Sequence, residues 1–210
     1  MLVTISRLAS ASLTVLFLFG ATAQTVSSQS LPMTSAEAKA SLPDPTRFRV
    51  TINAADLSPD DQQALGQMVL DSVIDQHFFG SVVAFFPKNS NQMSISTSLG
   101  LHTPEAARAV ATTQCETRRR PEDSSCREIG QILPENWEPT EGPILSAEAI
   151  AAFVQLSDDA PGAVVVVRSA ATTVWEMMGG EGVRDKAVEH CNARVEEAGL
   201  SPDCDVVIAD

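Results

Sequence analysis

The sequence predicts an α+β protein made of two tandem α-β-β-α-β units, each with an antiparallel sheet and one helix-to-strand disulfide. Three observations predict it. From Gly162 to Asp210 a valine-rich strand, a short second strand, a helix and a cysteine-led strand follow one another. Much the same order runs from Gly80 to Leu133. The four cysteines fall in matching places, Cys115 and Cys126 in the first stretch, Cys191 and Cys204 in the second. The units are expected over 46–134 and 144–210, joined by a proline- and acid-rich linker at 135–143 that contains Trp137. The pattern allows two small sheets covered by helices, or one continuous sheet.

The first residues stand outside this fold. Arg7 is the lone charge ahead of the apolar run Leu13 to Phe19, and Ala21-Thr22-Ala23 follows. A basic start, a short apolar core and an Ala-x-Ala site predict a signal peptide over 1–23, cleaved after Ala23. The run is short of the ~20 apolar residues that a membrane helix needs, so no membrane span is expected. Residues 24–45 are rich in Ser, Thr, Ala and Pro with few large apolar side chains. Such a composition does not repay the entropy of ordering, which predicts a flexible leader. Within it, Met33 to Leu42 reads as no more than a transient helix capped by Ser35.

Ordered structure is expected from Arg47. Phe48, Val50 and Ile52 alternate with polar residues, the period of a half-buried strand. Ser58-Pro59-Asp60-Asp61 then opens a helix, with Ser58 as cap, Pro59 in the first turn and Asp61 at the capping-box position. Leu65, Met68, Val69, Ser72, Val73 and Gln76 share one face of it. Val82 to Phe86 is apolar on both faces, as a central strand would be. The turn Pro87 to Asn91 leads to Met93, Ile95, Thr97 and Leu99, the returning strand of a hairpin. Thr103-Pro104-Glu105 starts the next helix, whose stripe of Ala107, Val110, Ala111 and Cys115 is small enough to sit close on a sheet. Cys126 leads the strand through Ile129 to Leu133.

In the second unit Leu145-Ser146 echoes Leu57-Ser58 ahead of the helix 147–155. Val164–Val167 is the buried strand and Val174-Trp175 enters its return. Aligned on the helix cysteines, Glu181 matches Glu105, Arg184 matches Arg108 and Ala187 matches Ala111. Gly199 ends the helix and Cys204 starts the last strand, Val206 to Ala209. Four cysteines permit three pairings. Because each copy holds its own pair, Cys115–Cys126 and Cys191–Cys204 are expected, each closing a loop valued at about 3 kcal/mol by chain entropy.

Charge narrows the partners. Fourteen Lys and Arg face 27 Asp and Glu, a formal charge of −13. This opposes binding to nucleic acid or anionic lipid and favours solubility. Arg118-Arg119-Arg120 is the lone basic cluster. It reads as helix-end cations near Glu122 and Asp123, or as a contact for an acidic partner, and Trp137 is a second candidate contact. His77, His102 and His190 are scattered, and no nucleophile elbow, P-loop or His-Glu-x-x-His occurs. Asp60-Asp61 and Asp158-Asp159 lack the ligand spacing of a calcium loop. The cysteine spacing is wrong for zinc knuckles. Lys39, Lys88 and Lys186 stand in a leader, a turn and an exposed helix start, poor places for a Schiff base. No catalytic residue, cofactor or metal is assigned.

Ala106 to Cys115 with Cys126-Arg127-Glu128-Ile129, and Lys186 to Cys191 with Cys204-Asp205-Val206-Val207, resemble exported bacterial domains of unknown function. In those domains a hairpin precedes an alanine-rich helix ending in cysteine and a cysteine-led strand. The resemblance implies location and fold and lends no catalytic residue. The expectation is a periplasmic or secreted, non-enzymatic binding module for an unknown protein or small ligand. The alternatives are a small secreted hydrolase whose site only folding assembles, or a protease-inhibitor-like protein.

Overall fold

The computed structural model describes residues 31–73, 78–90, 92–138, 145–159 and 162–210. The order is α1 (Ser35–Ser41), β1 (Phe48–Ile52), α2 (Pro59–Ser72), β2 (Gly80–Phe85), β3 (Ser94–Ser98), α3 (Pro104–Arg118), β4 (Arg127–Pro134), α4 (Ala147–Asp159), β5 (Val164–Ser169), β6 (Trp175–Gly179), α5 (Arg184–Glu197) and β7 (Cys204–Ala209). The strands form two antiparallel sheets, β1-β4-β2-β3 and β6-β5-β7. The fold is therefore α+β with a separate sheet in each unit, which decides between the two arrangements that the sequence allows. Among the described residues no helix is long and apolar enough to cross a membrane.

Each sheet lies between two helices, because its central strand is apolar on both sides. Val82 and Ala84 pack with Leu65 and Val69 of α2 and with Val73 at its C-cap, while Val83 and Phe85 pack with Ala111 and Cys115 of α3. In the second unit Val164 and Val166 pack with Ile150 and Phe153 of α4, and Val165 and Val167 with Ala187, Cys191 and Val195 of α5. The helix starts follow the local sequence. Ser58 Oγ accepts from Asp61 N at 3.1 Å and Thr103 Oγ1 from Ala106 N at 3.0 Å, with proline in the first turn both times. Of the face expected on α2, Leu65, Val69 and Val73 are buried, whereas Met68 is exposed and Gln76 lies outside the described residues. Helix α5 runs past Cys191 to Glu197 and ends in a Schellman turn. Gly199, at φ +76°, gives its N–H to Glu196 at 2.8 Å, and Leu200 N donates to Val195 O at 3.2 Å.

The last strand of each unit carries its irregularity in the same place. Val82 pairs with Gly130 and Val83 with Glu128, which leaves Ile129 as an extra residue. Val166 pairs with Ile208 and Val167 with Val206, which leaves Val207 extra. Both bulges fall three residues after the strand cysteine. Both disulfides join a helix to this strand, Cys115–Cys126 and Cys191–Cys204, with Cα atoms 6.1 Å apart in each. The sequence separations are 11 and 13.

One difference from the sequence expectation matters. The chain read as a flexible leader is ordered from Met33 onward. Thr34, rather than Ser35, caps α1 in a complete capping box with Glu37, and Ala38 is fully buried. Met33 N donates to Val207 O at 3.1 Å and Ala209 N to Met33 O at 2.9 Å, a parallel bridge on the open side of β7. Ser35 donates from N and Oγ to Asp210 at 2.9 and 2.6 Å, and Lys39 pairs with Asp158 at 2.8 Å. The partners lie some 120–175 residues downstream, so the composition of the leader alone carries no trace of them. The expected signal peptide, 1–23, lies outside the described residues, as does 139–143 of the expected linker. Strand β1 lies where the alternation of Phe48, Val50 and Ile52 predicts it, and it has no counterpart among the described residues of the second unit. It pairs with β4 from Phe48↔Pro134 to Ile52↔Gly130.

One apolar cluster spans both units. Phe78, Phe79 and Leu133 from the first meet Leu145, Ile150, Phe153, Val164, Val166 and Ile208 from the second, with Ala38 of α1 among them. The units therefore share a core instead of hanging on a tether.

Candidate functional site

The basic cluster stands on a braced loop. Arg118 is the last residue of α3 and Arg119 its cap, and the chain turns back to Cys126 within the disulfide. Asp123 holds the turn from two sides, accepting Arg120 N at 2.9 Å and Lys88 N at 3.0 Å. Those two bonds keep the Asp123 carboxyl below its ordinary pKa. Ser124 does the same for the neighbouring hairpin: its Oγ accepts Phe86 N at 2.7 Å and its N donates to Phe86 O at 3.0 Å. Lys88, at the tip of that hairpin, is thus brought to the arginine loop, and Lys88, Arg118 and Arg120 are all exposed. The three arginines are not equivalent. Arg118 Nη1 donates to Ile95 O at 3.3 Å, and Arg119 Nε pairs with Glu116 at 2.7 Å, so Arg120 has the freest guanidinium. The arrangement can hold an anionic group against a fixed backbone.

Trp137 lies elsewhere. Its ring meets Phe79 edge-on at 5.6 Å, and Arg49 donates to Trp137 O at 3.2 Å and to Glu135 O at 3.0 Å. The ring is half-buried against the shared core and is not brought to the arginine loop.

His102 is the histidine that folding gives a defined task. It is fully buried between the units. Ser146 N donates to Nδ1 at 3.1 Å, which leaves the proton on Nε2 to be given to Val174 O at 3.1 Å. Burial, reinforced by the positive charge of Arg168, lowers its pKa to about 4. Arg168 is itself held down by burial, with Asp205 and Asp203 opposing that shift. Arg168 Nε and Asp203 Oδ1 are buried without a hydrogen-bond partner among the described residues. His190 is exposed on α5, and His77 lies outside the described residues.

A second polar group faces α3. Glu128 accepts from Ser81 Oγ at 2.8 Å, Arg108 Nε at 2.8 Å and Gln131 Nε2 at 3.2 Å. These bonds tie α3 to β2 and β4 and use up the carboxylate. Sequence reasoning set Asp123 beside the arginines but missed its bracing role, and it missed Lys88 and Ser124 as parts of the loop. The available signal was chemical: Asp and Ser in short turns tend to bond nearby backbone N–H groups.

Fold and site together describe a disulfide-stapled α+β protein of two units, with a fixed basic loop at one end of the first. No protein-family model, no curated protein and no solved structure matches the chain.

Proposed function

We propose that the chain is an exported, soluble binding module built from two copies of one unit, and that it meets an acidic partner through the loop of Arg118, Arg119 and Arg120 together with Lys88. The single observation that carries this reading is the bracing. In an acidic chain, the lone arginine cluster is fixed by a disulfide and by four hydrogen bonds to Asp123 and Ser124. A loop already ordered loses little further entropy on binding. Export is supported by the signal-like start at Arg7 to Ala23 and by two disulfides, which persist in oxidising compartments. The copy relation is supported by the two bulges, each three residues beyond its cysteine.

The test is saturable capture of a component of an envelope extract by the immobilised mature chain, compared with Lys88→Glu/Arg120→Glu. Both substitutions leave the Arg118 bond to β3 in place. Capture should fall at least tenfold, and Lys186→Glu, at an exposed position on α5, should leave it unchanged. Equal loss in both variants would mean that general charge is being read, and the loop assignment would fall. Protease inhibition by the same loop would show in the same preparation as a change in a protease assay.

A further inference from the structure

The outer strands β3 and β6 carry a shared device. Arg118 lies three residues after Cys115, and Arg194 three residues after Cys191. Arg118 Nη1 donates to Ile95 O at 3.3 Å, and Arg194 Nη1 donates to Trp175 O at 2.8 Å. These acceptors occupy the same lattice position. Ile95 stands opposite Ala84 and Ala84 opposite Arg127, while Trp175 stands opposite Arg168 and Arg168 opposite Asp205. Arg127 and Asp205 each follow directly on the strand cysteine. In both units, then, the helix cysteine fixes the helix to the far strand, and the arginine one turn later reaches the near edge.

We propose that Cys-x-x-Arg is an edge-closing device: Arg118 and Arg194 guard β3 and β6 against pairing with the same edge of a second copy of this chain. In an antiparallel strand a residue's N–H and C=O point to the same side. A carbonyl that takes a guanidinium donor in place of the neighbouring strand thus marks the open side. An unguarded edge presents a row of such groups to another chain, and charged side chains are a common way to blunt it. An incoming strand would have to displace the arginine from the carbonyl before its own N–H could pair there. Glu176 adds a carboxylate at the β6 edge, 3.7 Å from Arg194 Nη1.

The experiment uses the full mature chain, with Arg118→Ala/Arg194→Ala and the milder Arg118→Gln/Arg194→Gln, both checked for wild-type far-UV circular dichroism. Sedimentation velocity over a hundredfold concentration range and anisotropy of a labelled peptide of residues 93–99 are the readouts. The expected result is concentration-dependent association absent from wild type, with peptide binding at least tenfold tighter. A lowered melting temperature with neither effect would show that the arginines only fasten helix to strand, and would overturn the proposal. Should the alanine pair fail to fold, the glutamine pair decides by the same two readouts.

Discussion

His102 shows how one buried side chain can set a pH limit for the molecule. Its neutral form is the one that both accepts from Ser146 N and donates to Val174 O. The ordinary pKa is 6.5 and the folded value about 4. Between those values the unfolded chain takes up a proton that the folded chain does not. Stability therefore falls as pH drops from above 6.5 towards 4, by about 3 kcal/mol from this group if the full shift is expressed. Urea midpoints taken from pH 7 to 4.5 should show the slope in wild type and a flattened slope in His102→Gln. An unchanged slope would place the acid sensitivity elsewhere. Gly130 makes a steric demand at the same scale. A Cβ there would lie 2.6 Å from Ile52 Cδ1 and 2.8 Å from Thr51 O, one of them backbone. Gly130→Ala should cost roughly 1–3 kcal/mol by overpacking, whereas Gly162→Ala, with nothing within 4 Å, should be near neutral by thermal melting.

At the scale of elements, much was legible and the omissions have a common cause. Period-two and helical patterning located both central strands, the two cysteine helices and the caps Ser58 and Thr103, since all of these are written within a few neighbouring residues. The disulfide partners were legible because the order of elements repeats. Helix α1 was legible in place but only as transient, because its contacts with β7, Asp210 and Asp158 lie far along the chain. The bracing of the arginine loop was not legible, because Lys88 and Asp123 are brought together only by the fold. One signal was in plain view: the alignment that pairs Glu105 with Glu181 and Arg108 with Arg184 also sets Arg118 beside Arg194. Helix α1 supplies its own prediction. Thr34→Ala removes a capping box, which should cost about 1 kcal/mol and raise protease sensitivity near Ser41 before any global change. Identical digestion patterns would show that α1 is held by packing alone.

For the whole molecule, the shared apolar cluster predicts one cooperative transition rather than two. Phe153 is fully buried within it, facing residues from both units. Phe153→Ala should cost about 3–5 kcal/mol and lower the melting of both halves together, as read by calorimetry. Two separated transitions would show that the units are thermodynamically independent. Peptide mapping without reductant should return only the two bridges within units. Replacing Cys115 and Cys126 by alanine should lower stability by about 3 kcal/mol on the chain-entropy model.

The two cysteine-bounded spans differ in length, 11 against 13 in separation, yet the strand beyond each resumes with its bulge at the same step. Chain length between the sulfur anchors is thus uncoupled from the framework around it. The slack lies in the turns beyond the helix ends, where exposed positions such as Glu122 and Leu200 could be diversified while Arg118, Asp123, Ser124, Arg194 and the buried Val195 keep their places.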